Sequence, residues 1–95
     1  MLFEWDESKR QSNLAKHHID FQDALRIFDG PTFEKASRSR GEDRIVSIGL
    51  IEDVEIVVVH VTRGKRRRII SARRAHRDER QDYANHITLT LQGRH

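Results

Sequence analysis

The chain has 95 residues, with 18 Lys or Arg against 15 Asp or Glu, a formal net charge of +3 and no cysteine. That length suffices for one small domain, so any function must sit on the surface of a single core, and the absence of thiols excludes disulfide staples and thiolate metal sites. No apolar run approaches the roughly twenty residues of a membrane span, and acidic residues at Glu4 and Asp6 interrupt the start before a signal region could form, so no membrane association and a cytoplasmic location are expected.

Leu2 to Trp5 reads as a brief strand opening a sheet. Asp6 offers a carboxylate to the start of a helix over Glu7–His17, whose face of Lys9, Asn13, Lys16 and His17 is polar. Asp20 offers a second cap, and Phe21, Ala24, Leu25 and Phe28 recur at helical spacing, predicting a short amphipathic helix that packs on the sheet. Asp29-Gly30-Pro31 stops it, with Gly30 expected in a left-handed cap. Thr32–Ala36 reads as an edge strand and Ser37–Asp43 as a polar, flexible connection.

From Arg44 to Leu50, Ile45, Ser47 and Gly49 alternate with Val46, Ile48 and Leu50, the pattern of a strand that turns near Glu52-Asp53. Ile56–Val61 is β-branched apart from His60 and suits a central strand buried on both faces. Gly64 can take the positive φ of a tight reversal, so Arg67–Arg73 is expected to return antiparallel. Arg74–Tyr83 then has helical composition, with Ala75, Glu79 and Tyr83 on one face. Beyond it, Ile87, Leu89 and Leu91 alternate with threonines, a weak strand signal in a tail (88–95) that is either docked or disordered. The expected fold class is α+β, a small antiparallel sheet of three to four strands with two N-terminal helices and one C-terminal helix, all in one domain.

Charge is segregated along this order. Between Arg63 and Arg80 nine cations face two anions, a local net of +7 that leaves about −4 on the remainder. Such a block predicts an anionic partner, and RNA fits it.

If that partner is an RNA cut without a metal, as the resemblance described below implies, the reaction requires deprotonation of a ribose 2′-hydroxyl, stabilisation of a pentavalent phosphorane and protonation of the departing 5′-oxygen. The side chains able to supply these roles are Arg63, Arg73, Glu79, Arg80, Tyr83 and His60. Arginine stabilises phosphate charge by forked bonds without titrating, and Glu79 could serve as base if its pKa were tuned. The plain alternative for Glu79 is an ion pair on a solvated helix; for His60 it is a hydrogen-bonded core residue, the more frequent outcome for an imidazole within an apolar strand. Lys65, Arg66, Arg67, Arg68 and Arg74 are the candidate RNA contacts, and Lys9, Lys16 and His17 on the first helix read either as a solvated polar face or, as the resemblance below implies, as further contacts to RNA. No histidine pair has zinc-chelating spacing, so neither metal nor cofactor is expected.

Two stretches carry a family resemblance. F-x-W-D-E-x-K-R-x-x-N-x-x-K-H-x-I-x-F, from Phe3 to Phe21, and R-I-I-S-A-R-x-A-x-x-x-E-R-x-x-Y, from Arg68 to Tyr83, resemble in order and spacing the hallmark segments of the BrnT toxins of bacterial type II toxin–antitoxin systems. The chain departs from that pattern at His18, where many relatives carry glycine. The resemblance implies a reduced RelE-like fold and a metal-independent endoribonuclease that stops translation. It also implies a BrnA-like ribbon-helix-helix antitoxin, forming a hetero-oligomer that binds operator DNA through the antitoxin. The rival readings are a non-catalytic RNA-binding module and a protein-interaction module; the first is disfavoured because Tyr83 is the only aromatic residue in the basic stretch, where stacking platforms would be needed.

Overall fold

The apolar run Ile56–Val61 lies at the middle of a five-stranded sheet, in the computed structural model that describes residues 2–92. The elements are β1 (Leu2–Trp5), α1 (Glu7–His17), α2 (Phe21–Ala24) continued by a 3-10 turn (Leu25–Asp29), β2 (Phe33–Ser39), β3 (Glu42–Ile51), β4 (Val54–Arg63), β5 (Arg66–Arg74) and α3 (Arg77–Gln92). Across the sheet the order is β1-β5-β4-β3-β2. Strands β2 to β5 form an antiparallel meander, whereas β1 runs parallel to β5, with Leu2 opposite Arg66 and Trp5 opposite Ile69. The sheet therefore has five strands where three to four were expected, and it is mixed rather than antiparallel.

Burial on both faces explains the continuous apolar run of β4. Ile56 and Val58 join Phe21, Ala24, Ile27, Ile69 and Ala72 in one cluster beneath α2 and its 3-10 extension. Val57 joins Val46, Ile48, Ala75 and Tyr83 in a second cluster beneath α3. The face under α2 is packed closely enough that a Cβ on Gly49 would lie 2.8 Å from Ile27 Cβ. A bulge at Ile70 of β5, where Val59 faces Ser71 but His60 faces Ile69, returns Ile69 to the face that holds Ala72.

The parallel strand β1 ends at Trp5, opposite Ile69, so it leaves the outer edge of β5 unpaired beyond that point. Asn13 of α1 fills the gap. Its side-chain amide donates to the Ala72 carbonyl (2.9 Å) and accepts from the Ala72 N–H (3.1 Å), as a neighbouring strand would, and donates also to the Ile19 carbonyl (3.0 Å). Asn13 is the one fully buried residue of this helix.

Both predicted aspartate caps form, Asp6 accepting from Ser8 N and Asp20 from Gln22 N. Helix α1 closes on His18 at φ 60, a left-handed position that favours glycine. Other expectations are corrected. The Phe21–Phe28 helix tightens to 3-10 geometry after Ala24, and Gly30 is extended (φ −123) rather than left-handed. Ser37–Asp43 is no flexible loop: β2 and β3 pair through Ser39 and Glu42, leaving a two-residue turn at Arg40-Gly41, both with positive φ. The expected strand signal at Ile87–Leu91 is helical, since α3 runs to Gln92 with Ile87 packed one turn after Tyr83; residues 93–95 of that tail lie outside the described residues. No helix among the described residues is long and apolar enough to cross a membrane.

Candidate active site

Strand β5 delivers Arg73 to the α3 face of the sheet, opposite Val57, and the chain turns at once into α3. Glu79 occupies the third position of that helix. Its Oε1 reaches back to the His76 N–H (2.8 Å), one half of a capping box. Both of its oxygens also accept from Arg73, at 2.7 Å from Nη1 and 2.9 Å from Nη2. The forked guanidinium, helped by the His76 N–H, holds the Glu79 carboxyl down at about 2 despite its burial. Arg73 is held protonated in return. A carboxylate of such low basicity is a poor proton acceptor at neutral pH, but it fixes the plane of Arg73. The exposed His76 ring stands over the same carboxylate, Nδ1 3.5 Å from Oε1.

Ser71, the preceding residue on this face of β5, lines a groove of about 270 Å³ together with Lys9, Ser12, Asn13, Lys16, His17 and Ile70. The groove between α1 and β5 thus leads along one face of the sheet toward Arg73. Here Lys9, Lys16 and His17 come together. Partial burial, then the fields of Lys16 and Arg73, push the His17 imidazole below its ordinary value, so the ring is neutral near pH 7.

The other expected site residues scatter. Arg63, Lys65 and Arg66 are exposed at the hairpin tip, where Gly64 takes φ 59. With about 3.3 Å of rise per residue, the tip lies roughly 25 Å along β5 from Arg73, several nucleotides away for an RNA strand. Arg67 and Arg68 point to opposite faces. Arg67 lies over the Phe28 ring (5.8 Å to its centroid) with Nη1 3.5 Å from Glu34, a contact without hydrogen-bond geometry, and Arg68 pairs with Glu4 at 3.1 Å. The expected single cluster over residues 63–68 is therefore split among the tip and two faces. Arg74 faces a separate cavity of about 590 Å³ with Asp20, Asp23, Arg26, Val54 and Ile56. Arg80 is exposed on α3 and makes no ion pair among the described residues.

Besides Glu79, two further residues of the expected catalytic set are buried. His60 is fully buried on the α2 face, opposite to that of Arg73, with Nε2 2.8 Å from Ser47 Oγ and its ring edge-on to Phe28. Burial, assisted by Arg67, pushes this imidazole down to about 4, so it is a neutral core group. Tyr83 is buried under α3 and donates its hydroxyl to the Pro31 carbonyl (3.1 Å), and burial pushes its phenol up.

Cations absent from the sequence-based set complete the face. Lys35 is paired with Val46 in the β2–β3 ladder, and Arg44 precedes Val46 by two residues, so both share the side on which Val46 packs beneath α3. Parity relative to Val46 was the available signal. Among the described residues, His76, Asp78 and Glu79 bring potential ligand atoms within 4.8 Å of one another. With both Glu79 oxygens already held by a guanidinium, that group is a poor cation site.

The family description "ribonuclease toxin, BrnT, of type II toxin-antitoxin system" matches residues 5–79, a span that includes His17, Arg73 and Glu79. This chain belongs to the BrnT family. Among solved structures, the ribonuclease toxin BrnT of Brucella abortus is similar, with a TM-score of 0.62 and 31% sequence identity over 81% of this chain and 100% of that chain. A search of curated proteins found no match. The BrnT span ends at Glu79, so Arg80 and Tyr83 fall outside it.

Proposed function

We propose that this chain is an endoribonuclease toxin that cleaves RNA without a metal ion and thereby inhibits translation. The observation that carries the proposal is the Arg73–Glu79 fork on the same face of β5 as Ser71, which lines a groove with Lys9, Lys16 and His17. In this reading RNA lies along the groove with its phosphates on the lysines, and Arg73 receives the scissile phosphate on the N–H groups that Glu79 leaves available. Neutral His17 takes the proton of the ribose 2′-hydroxyl, and the oxygen attacks phosphorus. The 5′-oxygen leaves with a proton from His76 or from water, giving a 2′,3′-cyclic phosphate and a 5′-hydroxyl. Arg80, one residue after Glu79 on α3, adds charge for the phosphorane. Glu79 positions Arg73 and is not the base.

Type II systems pair a toxin with a protein antitoxin. A BrnA-like ribbon-helix-helix antitoxin is the proposed partner, acting by covering the cationic groove and carrying the complex to operator DNA. The test is incubation of purified protein with RNA in excess chelator. Cleavage to cyclic-phosphate ends, suppressed when antitoxin is added, is expected; cleavage that appears only when a divalent ion is restored would overturn the metal-free mechanism.

A further inference from the structure

We propose that two copies of this chain associate through β2, joining their sheets edge to edge about a two-fold axis centred on Ala36. Strand β2 lies at the edge of the sheet, pairs continuously with β3 over seven residues, and carries no proline or bulge. Glu34 to Arg38 are all exposed. Its outward N–H and C=O groups are a template for another strand, which proteins usually guard with charged side chains.

Here the charges select one partner. When a strand pairs antiparallel with its own copy about an axis normal to the sheet, opposed residues share a face, so the axis must pass through a residue. Centred on Lys35, it opposes two lysines. Centred on Ser37, it sets Glu34 against Arg40, beyond the last residue of the strand. Centred on Ala36, it sets Glu34 against Arg38 twice and Lys35 against the neutral Ser37, so two ion pairs form across the seam and no like charges are opposed.

The present partners of those side chains do not forbid the exchange. Arg38 pairs with Asp43 where both side chains are largely exposed (66% and 86%), and the Glu34–Arg67 contact at 3.5 Å lacks hydrogen-bond geometry.

Helix α3 supplies an independent indication. It crosses the sheet from the β4–β5 side, where Ala75 N–H bonds the Glu55 carbonyl, to the start of β2, where the His86 ring lies 5.0 Å from Phe33. Six residues of helix follow His86, roughly 9 Å of rise, and Leu89 among them is 67% exposed. The helix therefore continues past the edge strand and would roof a strand added at the usual spacing of about 4.8 Å.

The experiment is sedimentation velocity at concentrations up to about 200 μM, enough to populate even a weak interface. Wild type is expected to be dimeric. Glu34→Arg and Arg38→Glu each create like-charge oppositions and are expected to be monomeric with unchanged circular dichroism. Mixed in equal amounts they restore every opposition and are expected to form a heterodimer. A monomeric wild type, single variants that still dimerise, or a mixture that stays monomeric would each overturn the proposal. Amide exchange of wild type follows residues 34–38 and does not depend on the variants folding. Protection lost on dilution is expected, whereas protection that appears only with added antitoxin would assign this edge to the antitoxin instead.

Discussion

Replacing Glu79 with glutamine keeps the shape of the side chain and removes its charge, which separates a positioning carboxylate from a general base. The carboxyl is held at about 2 against an ordinary 4.5. At about 1.4 kcal/mol per unit, ionisation in the folded state contributes on the order of 3 kcal/mol. Because the folded pKa lies below the unfolded one, this stabilisation is fully present above pH 4.5 and is lost as the pH falls toward 2. Glu79→Gln should therefore lower stability by about 2 to 4 kcal/mol at neutral pH, since Arg73 loses its partner in a half-buried setting. It should also flatten the stability profile between pH 4.5 and 2. Urea denaturation across pH measures both. Cleavage supplies the functional half: if Glu79 only orients Arg73, kcat falls by roughly ten- to a hundredfold and the acid limb of the pH–rate profile, set by His17 below its ordinary 6.5, remains. An unchanged stability would refute the electrostatic account, and disappearance of the acid limb in the variant would show that Glu79 is the base after all.

Further outcomes follow from the same structure. His60 is neutral in the fold down to about 4 whereas the unfolded imidazole takes a proton near 6.5, so stability should fall by about 3 kcal/mol as the pH drops through that window. His60→Leu should flatten that part of a urea-denaturation profile, and a slope equal to that of wild type would contradict it. Asn13→Ala leaves the Ala72 N–H and C=O without their amide partner and should cost about 2 to 4 kcal/mol by the same assay; a loss under about 1 kcal/mol would mean that water replaces the amide freely. Tyr83→Phe removes only the bond to Pro31, so kcat should stay within about twofold while stability drops by about 1 kcal/mol. A large kcat loss at unchanged stability would return Tyr83 to the catalytic set.

Much of the architecture was legible because local chemistry and tertiary packing agree. The alternation of Ile45–Leu50, the Ile56–Val61 run interrupted only by His60, Gly64 and the two aspartate caps each specify their own element. What escaped reading depends on distant partners. Nothing local to Leu2–Trp5 says that it pairs parallel to β5, and Asn13 reads as one polar residue among several until Ala72 is beside it. The tail misleads for a physical reason. Thr88 and Thr90 bond their hydroxyls to the Ala84 and His86 carbonyls one turn back, which lets a period-two pattern continue a helix anchored by Tyr83 and Ile87. At the site, sequence placed Arg73, Glu79, His17, Lys9 and Lys16 correctly on the elements that bring them together. It could not separate Arg67 from Arg68 by face, because a run of cations carries no parity of its own. His60 and Tyr83 have polar atoms that suit catalysis, and only burial shows those atoms facing Ser47 and Pro31.

The central claim is that chemistry resides at Arg73 while the hairpin tip contributes field and affinity. Single-turnover cleavage of one RNA in chelator tests it by comparing Arg73→Ala with a variant in which Arg63, Lys65 and Arg66 are replaced by serine. The account predicts that Arg73→Ala lowers the rate at saturating protein by about a hundredfold, whereas the tip variant keeps that rate and loses affinity with a salt slope shallower by roughly two to three units. An Arg73→Ala rate within about twofold of wild type, or a tip variant that loses the saturated rate, would contradict it.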